Sequence, residues 1–262
     1  MSTSPDDPPP TAVIVARHGE RHDYNCILAG TNWVATAERP WDPPLSEYGH
    51  EQGRQLGRRI QQVLKEQKLA PLTAIYSSPL LRCRQTAVAA ASASTQSKVR
   101  VEPGLAESMN EHWYRSWSLP NSDGTWGFKG VVNVDTLKEP AKRSVLELLK
   151  YDDNKIEGVD EEYQSLSTVS ADYCWGNFES SQNQRERMYK VMEDLARRHP
   201  GETVMLVSHG GPVTHLYQQL TEKDWWIHGE AAYASFSIYS KDEKRNSWKP
   251  HIINESSYLH EH

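Results

Sequence analysis

Val13-Ile14-Val15-Ala16-Arg17-His18-Gly19-Glu20-Arg21 is four apolar residues followed by a histidine set between two arginines. The apolar run is short enough to be a buried strand rather than a helix. Two fixed cations disfavour a third, so they push His18 toward its neutral, nucleophilic form, and they suit an incoming dianion such as a phosphate monoester. The pattern fits phosphoryl transfer through histidine. A second stretch repeats it. Thr203-Val204-Met205-Leu206-Val207 reads as the clearest buried strand, and Ser208-His209-Gly210-Gly211-Pro212 follows as a turn whose glycines let backbone approach a ligand closely.

Between these two strands the elements alternate. Ser46 is placed to cap a helix carrying Leu56, Ile60, Val63 and Leu64 on one face. Thr73-Ala74-Ile75-Tyr76 reads as the next strand, and Ser78-Pro79 as the cap and first position of the helix after it. Residues 98–102 form a third strand candidate. Met188, Val191, Met192 and Leu195 mark a helix stopped by Pro200-Gly201, Pro212 opens another with Val213, Leu216, Tyr217 and Leu220 inward, and Ala234, Phe236 and Ile238 alternate as a final strand does. Strands separated by amphipathic helices imply an α/β fold: a doubly wound, mostly parallel sheet with helices on both faces. Ligands bind such sheets at the carboxyl ends of the strands, where both histidine motifs fall.

Residues 108–181 break the alternation. They carry Trp113, Trp117, Trp126 and Trp175 and a short helix candidate at Val145, Leu146, Leu148 and Leu149. They read as a cap insertion over the rim of a single domain spanning 11–262, with the tryptophans as packing for it or as an aromatic wall facing a substrate. Met1 to Pro10, rich in Ser, Asp and Pro, reads as a disordered leader.

The 262 residues carry a net charge of −6, which argues against general nucleic-acid binding, so the useful positive charge is local. No apolar stretch approaches the roughly 20 residues that span a bilayer. Three scattered cysteines, Cys26, Cys83 and Cys174, give neither a disulfide framework nor zinc spacing and suit the cytoplasm. His260-Glu261-His262 has metal-like spacing but reads as a solvated tail, and Arg54, Arg58 and Arg59 with Lys65 and Lys68 as a helix's wet face.

Two further segments carry chemistry. In Leu81-Arg82-Cys83-Arg84-Gln85-Thr86-Ala87, Arg82 falls in a first helical turn, which already favours an anion, while Arg84 reads as solvated. Val101-Glu102-Pro103-Gly104-Leu105-Ala106-Glu107 ends a strand exit on a carboxyl group. With Arg-His-Gly-Glu-Arg at 17–21, Asp-Pro-Pro-Leu-Ser at 42–46 and Val-Ser-His-Gly at 207–210, these segments resemble branch 1 of the histidine phosphatase superfamily, also called phosphoglycerate mutase-like. The resemblance is closest to the phosphatase domains of the suppressor of T-cell receptor signalling proteins. It implies that His18 is the nucleophile and becomes phosphohistidine. It further implies that Arg17, Arg21 and Arg82 hold the phosphoryl oxygens, that His209 completes the pocket, and that Glu107 is the general acid and then the base.

Glu20, Asp23 and Glu111 are the alternative proton donors. Gly210 stands after His209 where the acid phosphatase branch has its aspartate, which favours Glu107. Ser108 replaces the aromatic residue common after the acid and bears on substrate choice. The implied activity is metal-independent hydrolysis of phosphate monoesters, on a phosphorylated small molecule or a phosphoprotein, with no cofactor, no metal, no membrane partner and a homodimeric assembly. A phosphomutase on the same fold, and a phospho-ligand binding module with weakened catalysis, are the rival readings.

Overall fold

In the computed structural model, residues 11–31, 33–37, 39, 42–108, 155–166, 179–224, 227–228 and 230–259 are described. The leader, most of the 108–181 insertion with its tryptophans and helix candidate, Glu111, and the C-terminal His-Glu-His lie outside the described residues.

Strand β1 (Ala12–Arg17) pairs in parallel with β4 (Thr203–Ser208), and β4 with β2 (Leu72–Ser77), which in turn carries the short β3 (Arg100–Val101). On its other side β1 pairs antiparallel with β5 (Phe236–Asp242), and β5 with β6 (Ser247–Glu255). The order among the described residues is β3-β2-β4-β1-β5-β6, a mixed, mostly parallel sheet.

Alternation along the central strands sends successive side chains to opposite faces. Val13, Val15, Val204 and Leu206 pack against helix α5 (Ser181–Arg197) and helix α6 (Gly210–Thr221) through Met188, Val191, Leu195 and Leu216. Ile14, Ala16, Met205 and Val207 pack against α3 (Glu47–Glu66) and α4 (Leu81–Ala93) through Leu56, Ile60, Cys83 and Ala87. Each fully buried aliphatic side chain here contributes about 1.5–3 kcal/mol of transfer free energy. Helices α3 and α4 run close together because Gly57 has no side chain: a Cβ there would stand 2.3 Å from the Ala90 carbonyl oxygen. Two short helices, α1 (His22–Leu28) and α2 (Trp33–Thr36), follow the first histidine motif.

Ser46 caps α3 as expected, its hydroxyl oxygen accepting from the Gly49 N–H at 2.9 Å. The start of α4 differs from expectation. Ser78 continues the sheet, its N–H donating to the Val207 carbonyl at 2.9 Å, so the helix begins at Leu81. Asp42 takes over the cap from a distance, its Oδ1 accepting from the Leu81 N–H at 2.6 Å. The glycines after His209 are likewise the first turn of α6 rather than a loop before Pro212. The third strand shrinks to Arg100–Val101, followed by a 3-10 turn at Pro103–Leu105. Strand β6 carried no legible alternation, because its pairing with β5 is irregular and it holds Pro250 and Asn254 at φ 50°. Lys249 and Pro250 on this edge discourage pairing with another chain.

Candidate active site

The parallel register sets Arg17 opposite Ser208, so the residues that follow, His18 and His209, leave the sheet side by side. The His18 N–H donates to the Ser208 carbonyl at 3.0 Å, and the two imidazole centroids stand 5.3 Å apart, edge to face. Both rings are buried, His18 at 3% and His209 at 1% exposure.

The tautomer of His18 follows from its partners. Nδ1 lies 2.7 Å from the Gly19 carbonyl oxygen, which can only accept, so Nδ1 carries the proton. Nε2 keeps its lone pair and receives the Arg82 Nε–H at 3.3 Å. Burial, and then Arg82 and Arg17, hold the His18 pKa well below the ordinary 6.5 against the opposing pull of the Gly19 bond. Near neutral pH the ring is uncharged, with its Nε2 lone pair available.

The three arginines are held by different means. Arg17 donates through Nη1 to the Ala231 carbonyl at 2.6 Å and lies over the Tyr233 ring at 4.2 Å, which leaves its buried Nε without a hydrogen-bond partner among the described residues. Arg21 forms a two-point ion pair with fully buried Asp23 and lies 4.5 Å over the Tyr24 ring. Arg82, 1% exposed, sits in the first turn of α4 with Nη1 4.0 Å from Asp42 Oδ1. Planar guanidiniums fixed in this way offer forked donors suited to phosphoryl oxygens.

Arg17, His18, Arg21, Arg82 and Glu107 line one cavity of about 480 Å³ together with the first turn of α6 at Gly210 and Gly211. His209 is not among the lining side chains. Its Nε2 meets the Ser78 hydroxyl at 2.8 Å and the Cys83 thiol at 3.3 Å, and its ring packs edge-on against His18. Burial followed by Arg82 and His18 keeps its pKa well below 6.5 as well.

Glu107 is half-buried, and its Oε1 accepts from the Ser108 N–H at 2.9 Å and from Gln184 Nε2 at 3.1 Å. Burial raises its pKa above the ordinary 4.5, opposed by the Ser108 N–H, Arg82 and Gln184, so the protonated form persists to higher pH than in a free carboxyl. Two of the rival carboxyls are engaged elsewhere. Glu20 Oε1 accepts from the Ser46 hydroxyl at 2.7 Å and from Asn25 at 2.8 Å, and Asp23 is committed to Arg21. Arg84 departs from expectation: it is buried at 9% exposure, facing Asp42 and Arg39, rather than solvated. Among the described residues no cluster of three or more His, Cys, Asp or Glu is arranged to hold a metal ion.

Sequence reasoning missed Tyr233 and Gln184 altogether, and gave Asp23, Asp42 and Ser78 no part in holding Arg21, Arg82 and His209. Asp42 stood in a quoted segment, and a buried arginine at position 82 demanded a carboxylate somewhere. Tyr233 and Gln184 left no local signal, since each reaches the site only through tertiary packing.

Two histidines buried in neutral form have a consequence for stability. Their folded pKa values lie below the unfolded 6.5, so as pH falls through 6.5 the unfolded chain binds protons that the folded chain does not. Stability is intact above that pH and declines below it, by up to about 1.4 kcal/mol per pH unit for each histidine. Urea midpoints measured from pH 7.5 to pH 5 should show the decline, and His209→Gln should make it shallower. An unchanged slope in that variant would remove His209 from the account.

The fold has clear counterparts among known proteins. A model of the histidine phosphatase superfamily (branch 1) matches residues 13–118 and 147–255. A metal-independent phosphoserine phosphatase of Arabidopsis thaliana is 26% identical over 214 residues, covering 81% of this chain and 69% of the relative. Phosphoserine phosphatase 1 of Hydrogenobacter thermophilus is 26% identical over 239 residues, covering 89% of this chain and 88% of the relative. The solved structure of Bacillus stearothermophilus YhfR shares the fold at a TM-score of 0.57 and 18% identity, over 95% of this chain and 99% of that one. With most of its length matched by the family model, the chain belongs to the histidine phosphatase superfamily, branch 1, and is a phosphatase.

Proposed function

We propose that the cavity hydrolyses phosphate monoesters in two steps on His18. The Nε2 lone pair forms a nitrogen–phosphorus bond as the ester oxygen–phosphorus bond breaks, and the departing oxygen takes the Glu107 proton to leave as an alcohol. A water oxygen then attacks phosphorus while the Glu107 carboxylate takes the water's proton. The nitrogen–phosphorus electron pair returns to Nε2 and inorganic phosphate is released. Arg17, Arg21 and Arg82 hold the equatorial oxygens through both steps, with no metal required, and His209 supports the cradle from behind. The observation that carries this reading is the lone pair on His18 Nε2, fixed by the Nδ1 bond to Gly19, in a cavity lined by three arginines.

The substrate class is small phosphomonoesters, with O-phosphoserine first among them. Two relatives bear the name of phosphoserine phosphatases, the cavity of about 480 Å³ fits a small ester, and the exposed carboxylate of Glu230 on its wall suits an ammonium group. Likeness to the phosphatase domains of the suppressor of T-cell receptor signalling proteins, resting on residues 17–21, 42–46, 81–87, 101–104 and 207–210, supports a homodimer and keeps a phosphoprotein as the alternative substrate, while the three scattered cysteines support a cytoplasmic location for a single catalytic domain spanning 11–262. None of the described helices is long and apolar enough to cross a membrane.

A panel of O-phosphoserine, 3-phosphoglycerate, sugar phosphates and a phosphotyrosine peptide, assayed with EDTA present, tests the reading. Phosphate release that is insensitive to EDTA and most efficient with O-phosphoserine is the expected result. Isomerisation of 3-phosphoglycerate outpacing phosphate release would favour a mutase instead. Loss of all turnover in EDTA would sink the metal-free mechanism.

A further inference from the structure

Gln184, near the start of α5, is 3% exposed and lies between the acid and a second histidine. Its Nε2 donates to Glu107 Oε1 at 3.1 Å, and its Oε1 stands 2.5 Å from His215 Nδ1 on α6. An amide oxygen only accepts, so Nδ1 is the donor and the amide is locked with its N–H end toward the carboxyl. The same Glu107 Oε1 also takes the Ser108 N–H at 2.9 Å. Beneath the pair lies Gly211, where a Cβ would come within 3.1 Å of Glu107 Oε1 and 3.3 Å of Gln184 Oε1. The first turn of α6 is thus kept bare where the carboxyl and the amide meet.

We propose that Gln184 is a positioning residue for the general acid: it grips Glu107 by Oε1 and so fixes the aim of the carboxyl into the cavity, while His215 fixes the orientation of the amide. A carboxyl anchored at one oxygen by two N–H donors keeps one orientation instead of sampling several. The inference rests on the reading of Glu107 as the acid. The charged and titratable groups facing Glu107 come from several elements: Arg17 at the end of β1, Arg82 and Cys83 on α4, Arg187 on α5, and His215 through the amide. Gln184 favours the ionised carboxyl, so its removal raises the pH at which Glu107 gives up its proton.

The test compares phenyl phosphate with p-nitrophenyl phosphate, because p-nitrophenolate departs without a proton and phenolate needs one. In Gln184→Leu, kcat/KM for phenyl phosphate should fall about tenfold, a fraction of the 10²–10⁴ that a general acid supplies. The value for p-nitrophenyl phosphate should stay within about threefold, and the alkaline limb for phenyl phosphate should move to higher pH. Equal losses on both esters, or an unmoved limb, would overturn the proposal. Should Gln184→Leu fail to fold, His215→Phe, at a half-buried site, must show the same preference between esters in smaller measure, and equal losses there overturn it too. Glu107→Gln separates the two readings. A large differential in that variant alone, with none in the other two, overturns only the role of Gln184. No differential even in Glu107→Gln overturns the acid assignment and the inference with it.

Discussion

Replacing His18 with alanine should lower kcat for p-nitrophenyl phosphate by about 10⁴- to 10⁶-fold, the scale of losing a covalent nucleophile outright. No neighbouring group stands in for it. His209 lies close enough, but its Nε2 is engaged by Ser78 and Cys83 and its ring does not line the cavity. Arg17 and Arg21 are anchored independently of His18, through Ala231, Tyr233 and Asp23, so the variant should still bind inorganic phosphate. That combination separates a lost nucleophile from a collapsed pocket. Rapid quenching of the parent enzyme should capture an acid-labile, base-stable phosphoryl group on residue 18, and the alanine variant should capture none. Retained turnover in His18→Ala, or a phosphoryl group at another position, would dismiss the mechanism.

Arg82→Met should cost about 10³-fold in kcat/KM, somewhat more than the loss of a single neutral oxyanion donor, because a fixed charge goes with the hydrogen bonds. Arg82 is the arginine in contact with the reacting atom, its Nε–H meeting His18 Nε2 at 3.3 Å. It therefore both holds an incoming oxygen and helps keep the imidazole uncharged before attack. Arg82→Lys should recover the charge but not the planar fork and should remain about 10²-fold below the parent. Vanadate inhibition should weaken in parallel, since a trigonal-bipyramidal oxyanion reports on the same contacts. Activity within tenfold of the parent in Arg82→Met would take the residue out of the phosphoryl cradle. Stability is the second readout. Asp42 is buried beside Arg82 and Arg39, and loss of one of these cations leaves its charge less well compensated.

Much of this architecture was legible because β1 and β4 are short apolar runs that each end in a histidine. The strand rule and the position of ligands at strand ends then sufficed to bring residues 18 and 209 together. Arg17, Arg21 and Arg82 were legible from their spacing to those histidines and to a helix start. The orientation of His209 was not, since the Ser78 and Cys83 contacts that turn it away come from β2 and α4 and leave no mark beside it in the sequence. The start of α4 misled for a related reason. Ser78-Pro79 has good capping chemistry, but the backbone N–H of Ser78 found a sheet partner first, and a distant aspartate capped the helix. Gln184 illustrates the limit most plainly. A polar residue in a polar helical turn looks solvated until the packing of α5 on α6 encloses it.

Strand β1, formed by residues 12–17, is flanked in the sheet by residues 203–208 and 236–242. A chain emerging from the ribosome therefore holds His18 at the end of a strand without its sheet partners until residues 203–208 have been translated, so the pocket is completed late. Appearance of phosphatase activity during synthesis would then serve as a clock for closure of the whole molecule rather than of any early subdomain.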